Sequence, residues 1–319
     1  MNELPERDLP PGRHHLLREH LLTEIRQNEK KPAETPKPQE TSKPRATPKP
    51  QKRWFRPALI AGAVAASVAA GVLVASPFGD RPAQAAPSAE TVRMLEEIAE
   101  AARRQPAPKD LRDDQFVYVK SKVAHMSAQA DKPGELGPVH QREIWLSVDG
   151  LHTEIVHEPA NDLDMERLKP ELPLPDADSN YRNLQKLPTD PVNMLDWLHK
   201  ESQGGKSDDQ NAFVLVGDLS YESLMPPKQA AALYLAASKI PGVELIEDAV
   251  DAEGRHGVAI AREDDGVREE LIFDKRTKQF LGEREVVVED TPYGAEEGDV
   301  VGRSAVLDRT VVDKAGQRP

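Results

Sequence analysis

Residues 243–288 read VELIEDAVDAEGRHGVAIAREDDGVREELIFDKRTKQFLGEREVVV, and this stretch decides the fold class. Four apolar-rich runs, Val243–Asp248, Gly257–Arg262, Glu269–Asp274 and Phe280–Val288, alternate with turn text at Glu253-Gly254, Asp264-Asp265-Gly266 and Asp274–Thr277. Gly and Asp there supply the backbone conformations that reverse a chain. Connections this short join antiparallel neighbours, because a parallel crossover needs a dozen or more residues. Ser304–Val312 completes the set.

The text upstream adds helices and more strands. Ser88 is placed to cap a helix reaching about Arg104, with Val92, Leu95, Ile98, Ala99 and Ala102 as its buried stripe. Strands are expected from Phe116 to about His125 and over Glu143–Val148 and Leu151–Val156, the last two joined by Asp149-Gly150 as a two-residue hairpin. Residues 158–190, rich in Pro and Asp, read as a long loop. Asp190-Pro191 opens a helix through Lys200, Asn211–Leu219 forms another, and Pro226-Pro227 opens a third that ends before Pro241-Gly242. The sum is α+β: a curved antiparallel sheet with helices on one face. Such a layout leaves room for an apolar groove between its layers, for which Tyr118, Trp145 and Trp197 are the candidate lining residues. Ordinary core packing is the preferred account of the two tryptophans, because aromatic content is only 4% and a core recruits such residues first.

The N-terminal quarter is written differently. Ala58–Ser76, ALIAGAVAASVAAGVLVAS, carries no charge and as a helix spans about 28 Å, close to a hydrocarbon core. Lys49, Lys52, Arg53 and Arg56 precede it, with Trp54 and Phe55 among them. Residues 1–78 hold 13 Lys+Arg against 8 Asp+Glu, and residues 79–319 hold 29 against 47, so net charges of +5 and −18 flank one apolar segment. This pattern implies a single-pass chain in the plasma membrane, N-terminus cytoplasmic and C-terminal domain outside. Cleavage near Ala83-Gln84-Ala85 is the competing account, weakened by the 57 residues ahead of the apolar run. The expected organisation is a cytoplasmic amphipathic helix over 1–27, a Pro/Lys-rich linker over 28–57, a transmembrane helix over 58–78, a tether over 79–87 and an extracytoplasmic domain over 88–319. Leu17, Leu21, Leu22 and Ile25 share one face of the first helix, which is too short to stand alone in water and so calls for a partner groove or the leaflet surface. The linker repeats Thr-Pro-Lys-Pro-Gln at 35–39 and 47–51 and favours extended structure.

Little in the sequence points to chemistry. With no cysteine there are no disulfides, thiolate metal sites or thiol nucleophiles. GxSxG, HExxH and phosphate-loop patterns are missing, and His14, His15 and His20 are not spaced as a ligand set. Asp162 and Asp164 lack the Gly turn and downstream Glu of a calcium loop. A non-enzymatic protein without cofactor, metal or direct nucleic-acid contact is expected.

Several stretches resemble a family of actinobacterial single-pass membrane proteins typically encoded beside extracytoplasmic-function sigma factors. They are LPPGRHHLLREHLLTEI at 9–25, FVYVKS at 116–121, REIWLSVDG at 142–150, AFVLVGDL at 212–219, residues 226–262, EELIFDKRTKQFLGERE at 269–285 and VVDKAGQ at 311–317. The YVKS…REIWLSVDG succession also looks like the start of periplasmic half-barrel domains of the LolA and RseB type. The resemblances imply a regulator with an anti-sigma-like role: a sigma factor on the cytoplasmic side and a lipid or lipoprotein outside. An envelope carrier or anchor that binds lipid or lipoprotein without signalling is the alternative. The zinc-binding anti-sigma motif needs two cysteines, so this chain departs from that pattern.

Overall fold

The computed structural model describes residues 84–129, 132–170, 172, 174, 177–202, 206–289 and 295–319. The amphipathic helix with Leu17, Leu21, Leu22 and Ile25, the linker and the apolar segment 58–76 lie outside these residues. Among the described residues, no helix is long and apolar enough to cross a membrane.

The architecture is α+β, built on one large antiparallel sheet. Its strands are β1 (Phe116–Gln129), β2 (Lys132–Leu136), β3 (His140–Ser147), β4 (Glu154–Glu158), β5 (Leu163–Leu168), β6 (Glu244–Val250), β7 (His256–Asp264), β8 (Val267–Phe273), β9 (Phe280–Val287) and β10 (Val300–Val312). They run across the sheet in the order β5-β4-β3-β1-β10-β9-β8-β7-β6, with β2 paired to β1 off this path. The order places β10 beside β1 at the centre and leaves β5 and β6 as outer strands.

The helices are α1 (Ala89–Arg103), α2 (Tyr181–Leu184), α3 (Pro191–Glu201), α4 (Asp208–Tyr221) and α5 (Pro227–Ala237). Their starts follow from capping chemistry. Ser88 Oγ accepts Thr91 N–H at 3.1 Å, and the Asp190 carboxylate accepts Val192 and Asn193 N–H, both at 3.0 Å. Ser207 caps α4, with Asp208 and Asp209 in its first turn where the helix dipole favours them. α1 buries only the stripe Thr91, Leu95, Ile98 and Ala99. α4 is buried almost all round, from Gln210 through Gly217 and again at Leu219–Tyr221, as the central helix of the layer must be.

Strand alternation assigns the two faces. Val258, Ile260, Leu271 and Phe273 point into the core formed with α1 and α3–α5. Ala259 and Ile272 point the other way, where they meet Ala249 and Leu281. In β1 and β3 the inward set is Val117, Val119, Ile144 and Leu146, and the outward set is Phe116, Tyr118 and Trp145. β9 runs close to β10: a Cβ on Gly282 would lie 2.3 Å from Ser304 O, so only glycine fits there.

Three expectations need correction. The Asp149-Gly150 connection is not a two-residue hairpin: Trp145 pairs with Ile155 and Glu143 with His157, a register that leaves 148–153 as a longer loop. The Asp149 carboxylate holds this loop by accepting Leu151 N–H and Ser147 O–H, each at 2.8 Å, in place of ladder bonds. Residues 158–190 are not all loop, since they contain β5 and α2. β5 is irregular, with left-handed backbone at Asp162 (φ 60°) and Met165 (φ 54°) at and near its start, which hides it from alternation. Finally, α4 begins and ends further out than Asn211–Leu219.

Candidate functional site

The half of the sheet built from β1, β3 and β4 carries two buried polar constellations; a further one, Gln210 with Arg262 and Glu269, joins α4 to β7 and β8. The first lies on the outward face, where the register sets Tyr118 opposite Trp145. Their rings are 5.2 Å apart. With Phe116, Ile155 and Val312 they form an apolar floor, and Glu143 stands beside it, 1% exposed. After β10 the chain turns back over this floor, bringing Ala315 against it. Trp145 Nε1–H donates to Gln317 O at 2.5 Å. The Arg318 guanidinium donates twice to Glu143, from Nε at 2.8 Å and Nη2 at 2.7 Å, while its carbon centre sits 5.9 Å from the Trp145 ring centroid. Tyr118 O–H donates to the same carboxylate at 2.5 Å. Hydrogen bonding from Arg318, helped by Tyr118, overcomes desolvation and brings the Glu143 carboxyl down to about 2. Burial, followed by Glu143, pushes the Tyr118 phenol well above its ordinary value.

The second constellation lies on the inward face at the C-terminal end of α4. Arg142, 1% exposed, is paired on two sides. Nη1 donates to Glu158 at 2.5 Å, and Nε and Nη2 donate to Glu222 at 2.7 and 3.3 Å. His140 Nε2 and Asn161 Nδ2 each approach Glu158 Oε1 at 2.6 Å. Burial works to raise the Glu158 carboxyl, but Arg142 and His140 outweigh it and hold it below the usual range. Nearby, Arg309 Nη2 donates to Ser220 O and Tyr221 O, both at 2.8 Å, and so closes the C-terminus of α4. Glu154 also belongs to this face; its Oε1 accepts Ser147 N–H at 3.0 Å. Burial lifts its carboxyl to about 8.

The structure brings together two of the three groove candidates and separates the third. Tyr118 and Trp145 adjoin on the outward face, whereas Trp197 packs within the helical layer. Trp145 is fully buried, in accord with the core-packing account, but what covers it is a segment of this chain rather than a second layer. Between α4 and strands β8–β9, a cavity lined by Phe213, Gly217, Leu271 and Glu283 has a volume of about 20 Å³, room for a single water. Sequence reasoning missed Glu143, Arg318, Arg142 and Glu158. Their partners are far apart in the chain, and the one available signal was charged residues inside otherwise apolar strands.

No group of three or more His, Asp or Glu side chains able to hold a metal ion occurs among the described residues. No protein-family model matches the chain, and no curated protein matches it. Among solved structures, MucB is similar at 14% identity over 73% of this chain and 62% of that one, with a TM-score of 0.24. The MucA/MucB complex from Pseudomonas aeruginosa is similar at 15% identity over 72% of this chain and 59% of that one, with a TM-score of 0.26. The chain thus spans less than two thirds of the length of these structures.

Proposed function

We propose that the protein is a non-enzymatic, single-pass membrane regulator associated with an extracytoplasmic-function sigma factor, whose outer α+β domain binds a ligand of the cell envelope. In this reading residues 58–76 cross the bilayer and the helix bearing Leu17, Leu21, Leu22 and Ile25 engages the cytoplasmic partner. The sheet acts as a curved half-barrel of the LolA and RseB kind. The observation that carries the proposal is the opposite charge, +5 and −18, on either side of an uncharged 19-residue segment. The described domain supports it by its layout: the helices thicken one half of the sheet, and the outward face of β1 and β3 is covered by the segment after β10, with Met165 and His152 at its margin. The lipid-carrier alternative gains no support from the cavity under α4, whose volume of about 20 Å³ is too small for an acyl chain.

Two measurements test the proposal. Protease added to intact cells digests residues 88–319 and spares residues 1–57; protection of the outer domain overturns the topology. Residues 1–57 used as bait recover a sigma factor, and deleting the protein changes transcription from that factor's promoters. Failure of both results overturns the regulatory role while leaving the topology intact.

A further inference from the structure

The outward-face constellation has the composition of an arginine receptor. A carboxylate fixed at the bottom of a pocket matches the planar fork of a guanidinium, and an indole beside it offers its face to the same cation. Glu143 meets this description through its two bonds to Arg318 and one to Tyr118, and Trp145 adds a directional N–H for the backbone carbonyl just before the arginine.

Receptor and occupant differ in how they are held. Tyr118, Glu143 and Trp145 are 2%, 1% and 0% exposed and lie within paired strands. The occupying segment leaves the ladder after Val312, whose pairing with Phe116 is the last between β1 and β10. Asp313, Lys314 and residues 317–319 are exposed, the Arg318 side chain is 54% exposed, and the bonds that Arg112 and Gln115 donate to Asp313 lie at the solvent-facing start of the segment. Beneath Ala315, a neighbouring Gly316 at φ 83° turns the chain so that Gln317 and Arg318 reach the pocket. Such a segment is an intramolecular ligand, with an effective concentration on the order of millimolar. A separate peptide that makes the same contacts and adds its own displaces it. The charge favours a cationic visitor, because residues 79–319 carry a net −18.

We propose that Glu143, Tyr118 and Trp145 form an arginine-reading peptide site, filled here by Gln317-Arg318 and available to an arginine-bearing segment of a partner protein when residues 313–319 leave. This goes beyond the regulatory reading and stands whether or not residues 58–76 cross a membrane.

The test uses the full chain in mild detergent and a fluorescein-labelled peptide of sequence DKAGQRP, matching residues 313–319. Fluorescence polarisation is expected to show at least tenfold tighter binding to Arg318→Gln, and to a chain ending at Val312, than to the unaltered protein, whose pocket is filled. Replacing the peptide's arginine by glutamine is expected to weaken binding at least tenfold, and adding Glu143→Gln to the Arg318→Gln chain is expected to do the same. Arg318→Gln alters one exposed side chain, so it remains informative if the shortened chain fails to fold. The proposal is overturned if Arg318→Gln keeps its circular dichroism yet takes up no more peptide than the unaltered protein. Equal binding of the arginine and glutamine peptides also overturns it.

Discussion

The two halves of the sheet are held by different physics. Strands β6–β9 are backed by helices over a large apolar core of Leu95, Met194, Phe213, Leu215, Leu233, Ile260 and Phe273, crossed by the buried set Gln210, Arg262 and Glu269. Strands β1 and β3–β5 have no such layer. Their inward face buries a smaller apolar cluster around Val119, Ile144 and Val156 and is tied to the end of α4 by Arg142, Glu158 and Glu222, and their outward face is covered through Glu143, Trp145 and Arg318. Apolar burial is non-directional and tolerates exchange, whereas buried charge holds only with its partner in place. One half should therefore lose stability in proportion to the volume removed, and the other in proportion to the pairing broken.

The largest expected effect is in the helical half. Phe213→Ala removes a fully buried ring and should cost about 3–5 kcal/mol in urea unfolding. Amide exchange should then accelerate first in α4, β7 and β8; equal acceleration in β3–β5 would mean that the halves act as one unit. Arg142→Met should cost nearly as much, about 3 kcal/mol, because it strands Glu158 and part-buried Glu222 without their cation. Its exchange signature should fall on β3–β5. Adding Glu158→Leu and Glu222→Leu should recover part of the loss, which would separate pairing from packing.

The acid limb of stability gives a smaller effect. The Glu143 carboxyl lies near 2 in the fold against 4.5 ordinarily, so its contribution is full above about pH 4.5 and fades as pH falls towards 2. Glu143→Gln should flatten that limb and lower stability at pH 7 by about 1–3 kcal/mol. Glu154 runs the opposite way. Its folded value near 8 means that stability is full below about pH 4.5 and declines as pH rises through 8. Glu154→Gln keeps an acceptor for Ser147 N–H and should be nearly neutral at pH 5, growing more stable than the parent towards pH 8 in thermal melts.

The contrast also explains what could be read from the chain. Periodicity and caps located α1, α3 and α5 and strands β6–β9, because their stripes face one local apolar core and their turns lie within a few residues. Ser88 and Asp190 are caps whose effect is local, whereas the cap at Ser207 escaped the reading that began this helix at Asn211. The strap-covered half resisted reading because its decisive contacts are remote: Arg142 and Glu222 are 80 positions apart, and Glu143 and Arg318 are 175. Tyr118 and Trp145 stand among the groove candidates, and alternation along β3 puts Glu143 on the face of Trp145, but nothing local points to Arg318 as the cation that meets it. Trp197 was grouped with them by residue type alone.

The central placement of β10 beside β1 has a consequence for the order in which the molecule is made. Gln115 and Asp313, which bond at this junction, are 198 positions apart, so β1 waits through synthesis of nearly the whole domain for its neighbour. A loop that long is entropically costly to close and slows the closing step. Until then β1 presents an unpaired edge beside bare Trp145 and Tyr118, the kind of surface that makes a folding intermediate prone to aggregate.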